Sequence, residues 1–121
     1  MEKIESLFPS LIYLATLPKG VATSLNAGLL KEIDYFSSED KMGIQWSKKN
    51  YVGGYTSYAS LHDMHHRAPS FGKLENILNK KVAEYAKRLH WEKRGLKLRM
   101  TACWINIMAK GTYHTLHAHP Q

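Results

Sequence analysis

The sequence predicts an α+β fold, with helices packed on a mainly antiparallel sheet. Three observations predict it. Two stretches carry apolar residues at helical spacing: Leu25, Leu29, Ile33 and Phe36, then Phe71, Leu74, Leu78, Val82, Tyr85 and Leu89. Steps of three and four place each set on one helix face. Shorter β-favouring stretches bounded by Gly and Pro surround them. The resulting order is strands, helix, strands, helix, strands, which suits helices laid on an antiparallel sheet.

Residues 7–17 read as a first strand, opened by Pro9 and closed by Pro18-Lys19-Gly20. Thr23 or Ser24 can cap the first helix, which then runs to about Phe36. Residues 37–40 form a polar break, and residues 44–46 a short strand. Asn50-Tyr51-Val52-Gly53-Gly54-Tyr55 is a turn signal, and residues 55–61 bring β-favouring Tyr and Thr. Residues 62–69 read as loop. Ser70 is placed to cap the second helix, from Phe71 to about Trp91, with Gly95 as its stop or as a turn residue. Residues 96–109 are the longest strand candidate. Met100, Ala102 and Trp104 share one face, and Cys103, Ile105 and Ile107 the other. Both faces are apolar, which predicts an interior strand covered on both sides. Lys110-Gly111 is a turn, and residues 113–119 a final strand.

At 121 residues, with 44% hydrophobic and 13 aromatic residues, one domain or part of one is expected and disorder throughout is excluded. No apolar stretch approaches the ~20 residues that span a bilayer, and the N-terminus lacks a basic-then-apolar leader pattern. The single Cys103 has no partner for an internal disulfide and sits in an apolar run, so burial as a small hydrophobe in a reducing, cytoplasmic compartment is the expectation. The formal charge is +7. Lys73, Lys80, Lys81, Lys87, Arg88, Lys93, Arg94, Lys97 and Arg99 cluster in one region. Such a cluster can attract nucleic acid or an anionic small substrate, or it can be the solvated face of a helix and the turn after it. No nucleic-acid reading motif accompanies it, so the solvated face is the preferred reading.

Three of the seven histidines, His114, His117 and His119, fall within six residues. On a strand, His117 and His119 point to one face and can converge on one ion. Imidazole suits iron, zinc, copper and nickel, and a third ligand must come from elsewhere. The competing reading is a surface histidine pair. A second cluster, His62-Asp63-Met64-His65-His66, holds three imidazoles and a carboxylate, but adjacent residues in a loop rarely aim at one ion. Polar loop structure is its expected role. No phosphate-binding glycine loop and no G-x-S-x-G pattern is present. A Cys103–His117 nucleophile–base pair is disfavoured, because a thiol in an apolar strand has a raised pKa and reacts poorly. Trp46, Tyr51, Tyr55 and Tyr58 could stack on bases but fit ordinary sheet faces equally well.

Four stretches, in order, carry a family resemblance. They are Leu7-Phe8-Pro9 with Ile12-Tyr13; Gly53-Gly54-Tyr55-Thr56-Ser57; Pro69 with Phe71 and Leu74; and Trp104-Ile105-Asn106 followed by Gly111, His114, His117, His119 and Pro120. Together they resemble a family of Fe(II)/2-oxoglutarate-dependent oxygenases of marine bacteria and phages, with its W-x-N and H-x-H-P signature. The resemblance implies the start of a double-stranded β-helix, a jelly-roll or cupin-like core. It also implies Fe(II) and 2-oxoglutarate as cofactors and hydroxylation of a substrate whose identity it does not specify. His117 matches the first metal histidine, and His119 stands where the wider superfamily has a carboxylate. Asn106 and His114 are candidate neighbours of the ligands or pocket residues. The family places its distal histidine and its 2-oxoglutarate-binding basic residue several strands further on. The chain is therefore expected to be the N-terminal portion of a longer oxygenase domain, with an open sheet edge that could pair with a second copy. Two other readings stand beside it: a noncatalytic, cupin-like metal-binding module using His114, His117 and His119, and a small basic nucleic-acid-binding protein.

Overall fold

The structure is a computed structural model that describes residues 1–91, 95 and 97–113. Its elements run α1 (Lys19–Glu39), α2 (Lys41–Asn50), β1 (Gly54–Thr56), α3 (Met64–Arg67), α4 (Pro69–Arg88) and β2 (Asn106–Met108). The class is α+β, with four helices around a two-stranded antiparallel sheet.

The two periodic stretches form the two long helices. Leu25 is buried, and Leu29, Ile33 and Phe36 pack against a core of Tyr55, Met64, Ala68, Phe71 and Ile105. Both helices start earlier than their hydroxyl residues suggest. Pro18 is the N-cap of α1, so neither Thr23 nor Ser24 caps it. Pro69 occupies the first turn of α4, where its missing N–H costs nothing. The Glu32 carboxylate on α1 then accepts the Ser70 N–H at 2.9 and 3.1 Å, so a neighbouring helix does the work expected of Ser70. α4 ends at Arg88, one turn short of Trp91. Gly95, at φ +67, adopts the left-handed conformation of a turn residue.

Several predicted strands are not strands. Residues 7–17 run without regular structure, and Leu7, Leu11, Ile12 and Leu14 are exposed. β propensity measures fit to a partner strand, and no described strand lies beside this segment. It straps across α4 instead. Tyr13 stacks on Tyr85 with ring centroids 5.6 Å apart and donates to Glu84 Oε2 at 2.7 Å, while the Tyr85 hydroxyl donates to the Leu11 carbonyl at 2.7 Å. Residues 44–46 lie inside α2. Asp40 breaks the chain between α1 and α2, and its carboxylate accepts the Gly43 N–H at 2.9 Å, which nucleates a helix where short apolar spacing suggested a strand. Of residues 55–61, Tyr55 and Thr56 lie in β1, and a turn closed by Ser57 takes over. Residues 62–69 include the single-turn α3.

The predicted interior strand over residues 96–109 shrinks to β2, whose three residues are all exposed. Apolar alternation ran ahead of cover: Ile105 is buried, but Ile107 and Met108 are 37% and 57% exposed. Cys103 joins the sheet region through an isolated parallel bridge to Asp63. Lys110 and Gly111 form the expected turn. The predicted strand over residues 113–119 falls, beyond Tyr113, outside the described residues. No helix among the described residues is long and apolar enough to cross a membrane.

Candidate functional site

The β1–β2 ribbon is where the predicted motifs meet. Gly54, Tyr55 and Thr56 lie opposite Met108, Ile107 and Asn106. Ser57 extends the pairing: its N–H donates to the Ile105 carbonyl at 3.0 Å, and its hydroxyl accepts the Ile105 N–H at 3.0 Å while donating to Leu61 O at 2.8 Å. Ser57 is fully buried, so this hydroxyl satisfies the buried Ile105 N–H and ties it to the partly buried Leu61 carbonyl. Thr112 donates to the Gly53 carbonyl at 2.9 Å and pins the chain beyond β2 to the start of β1. The paired glycines are required here. Gly53 sits at φ +79, and a Cβ on Gly54 would come within 2.7 Å of the Ile107 carbonyl oxygen.

Beneath the ribbon lies a hydroxyl network that spacing does not reveal. Ser47 on α2 accepts the Thr56 N–H at 2.9 Å and sits 3.3 Å from the Thr56 carbonyl. The Asp40 carboxylate gathers the Gly43 N–H, the Tyr55 hydroxyl at 2.8 Å and the Ser60 hydroxyl. Burial, reinforced by the Asp40 carboxylate, pushes the Tyr55 phenol well above the ordinary tyrosine range. The one sequence signal for this network is an Asp placed three residues before a glycine at a helix start.

Of the predicted site residues, Asn106 opens β2, opposite Thr56, with its side chain exposed. His114, His117 and His119 lie outside the described residues. The second histidine cluster forms the end of one loop and the turn of α3. His65 is buried, its Nδ1 has no hydrogen-bond partner among the described residues, and its ring lies 4.0 Å from that of His66. Asp63 pairs with Arg67, whose guanidinium holds the carboxyl below its usual range. Cys103 is half-buried, and desolvation followed by the charge of Glu75 pushes its thiol up, as expected for an unreactive cysteine. Among the described residues no three His, Cys, Asp or Glu side chains come together as a metal-ligand set.

Where it is described, the basic region is the solvated surface of α4 together with the exposed Lys97 and Arg99 in a stretch without regular structure. Lys73, Lys80 and Lys87 are exposed on α4, and Lys81 pairs with Glu84 at 3.0 Å. No family model, curated protein or solved structure matches this chain.

Proposed function

We propose that the chain belongs to Fe(II)/2-oxoglutarate-dependent oxygenation, with His117 and His119 as metal ligands and Asn106 and His114 beside them. The observation that carries this reading is the β1–β2 pairing. The Gly53–Ser57 and Trp104–Asn106 stretches, two separate pieces of the resemblance 48 residues apart at Ser57 and Ile105, are hydrogen-bonded neighbours. The Thr112–Gly53 bond supports it further, because it ties the residues leading into the histidine segment to the same ribbon. A double-stranded β-helix is the wider core this reading implies.

Iron bound by two histidines with open positions would supply oxygen activation and decarboxylation of 2-oxoglutarate. The chain's own contribution is positional. The ribbon fixes the direction in which the backbone leaves β2, and the exposed Asn106 amide would hydrogen-bond a ligand or a coordinated imidazole.

An anaerobic Fe(II) titration, with and without 2-oxoglutarate, tests the assignment. Fe(II) binding should weaken at least tenfold in His117→Ala and in His119→Ala, while His119→Asp should retain it. Unchanged Fe(II) affinity in His117→Ala would overturn the ligand assignment. Fe(II) binding that 2-oxoglutarate never alters would replace it with the noncatalytic metal module.

A further inference from the structure

We propose that the N-terminal strap docks on an anionic lipid surface. Its apolar residues would enter the interfacial layer, and the cations at its root would meet the lipid headgroups. The surface is separate from the histidine segment and does not rest on the oxygenase reading. It concerns a chain that lies on a bilayer, not one that crosses it.

The strap is apolar and uncovered. Ile4, Leu7, Phe8, Leu11, Ile12 and Leu14 are all exposed, Phe8 to 97% and Leu14 to 87%. Phe8 stands at a bend, with φ +55 just ahead of Pro9. Positive φ is uncommon for a bulky residue, and here it coincides with a side chain held out from the body. Side chains exposed to this degree line no recess. A folded partner would cover them from one direction, whereas fluid acyl chains close around them from every side.

The root of the strap supplies a second, independent feature. Among the described residues, the polar and ring contacts that seat the strap on α4 fall at Leu11 and Tyr13. There Tyr13 stacks on Tyr85, and the Tyr85 ring lies 6.4 Å from that of Trp91. Three aromatic rings, each with one polar group, thus gather where the apolar stretch ends. Tyr and Trp are the side chains that settle at headgroup level.

Charge supplies the third. The Arg88 guanidinium lies 6.0 Å from the Tyr13 ring centroid, Lys87 shares the last turn of α4, and Lys19 follows the strap directly. Both lysines are exposed and in no ion pair among the described residues. The acids nearby are largely matched. Glu5 pairs with Lys3 and Glu84 with Lys81, which leaves Glu2 against Lys19, Lys87 and Arg88. Apolar residues, then aromatic rings, then cations repeat the order of an anionic membrane interface, from acyl chain to headgroup. Charge also separates lipid from a second copy, because each chain carries +7 and a copy would bring like charge to the same face.

The test uses the full chain and vesicles of phosphatidylcholine, alone or with about a third phosphatidylserine, read by co-sedimentation. Binding should be roughly tenfold tighter to the anionic vesicles and should weaken as salt is raised. Phe8→Ser combined with Ile12→Ser changes two exposed positions, so the thermal melt should be unaltered while binding weakens by roughly tenfold or more. Lys19→Gln combined with Lys87→Gln should weaken binding to the anionic vesicles by about fivefold or more. Equal binding to both vesicle types, or undiminished binding by either double variant, would overturn the proposal. Absence of vesicle binding would overturn it too. If the chain then self-associates, and Phe8→Ser with Ile12→Ser abolishes the association, the strap's occupant is a second copy.

Discussion

Asp40 concentrates more of the fold's polar organisation than any apolar residue would suggest. It caps α2 through Gly43 and holds the Tyr55 and Ser60 hydroxyls, so one carboxylate joins a helix start to the sheet. Asp40→Ala should destabilise the chain by about 2–4 kcal/mol, combining a lost cap of ~1 kcal/mol with a buried phenol left unpaired at ~1–3 kcal/mol. A thermal melt reads this directly. Asp40→Asn, which still caps, should recover roughly half of it. A loss below about 1 kcal/mol in Asp40→Ala would mean that water replaces the carboxylate. The same contact sets a pH dependence. The Tyr55 pKa is raised in the folded state, first by burial and then by the Asp40 hydrogen bond. A raised pKa stabilises the fold below the ordinary tyrosine range, and that contribution fades as pH climbs through the folded value.

At the scale of elements, the strap over residues 7–17 and the helix it crosses form a unit with its own switch. The Tyr13 hydrogen bond holds Glu84 below its usual carboxylate range, with Lys81 adding to it, and the same bond raises Tyr13. The signs follow. Glu84's contribution is present above the ordinary carboxylate pKa and lost as pH falls through its folded value; Tyr13's is present below the ordinary tyrosine pKa and lost as pH rises beyond it. Amide shifts of residues 11–14 should therefore move toward random-coil positions at both acid and alkaline extremes, and Tyr13→Phe should abolish the alkaline movement. An unaltered alkaline movement in Tyr13→Phe would show that Tyr85 and Leu11 alone seat the strap. These elements also mark the limit of what the residues disclose in linear order. The faces of α1 and α4 were legible because Leu25 to Phe36 and Phe71 to Leu89 repeat over several turns, and repetition outweighs local noise. Residues 7–17, 44–46 and 96–109 misled because short apolar stretches suit a strand, a helix or a coil alike. Their state depends on partners far away in sequence, such as Tyr85 for the strap. In the candidate site, the turn glycines and Asn106 were legible. The hydroxyl network of Ser47, Ser57 and Asp40 was not, because hydroxyl pairing across 48 residues leaves no spacing signature.

Across the whole molecule, surface is the dominant fact. The chain exposes 10241 Å², where a compact protein of 13.9 kDa would expose roughly 6,700 Å². The exposed strap residues Leu7, Phe8, Leu11, Ile12 and Leu14 and the β2 residues Ile107 and Met108 contribute to the excess. Denaturant sensitivity scales with the surface uncovered on unfolding, so the urea slope should fall about a quarter below that of a compact domain of this length. A slope at the full value would mean that the isolated chain covers this surface in solution, and sedimentation at several concentrations would show whether it does so with a second copy. The Ser57–Ile105 contact has a further consequence, in time rather than space. Helices α1 and α4 close through neighbouring residues as soon as they are made. β1 must wait for a segment almost fifty residues later, and closing so long a loop is an entropic barrier that local structure does not share. During synthesis, then, Tyr55 and Ser57 spend the interval without Ile105, and the ribbon sets only after both long helices have left the ribosome.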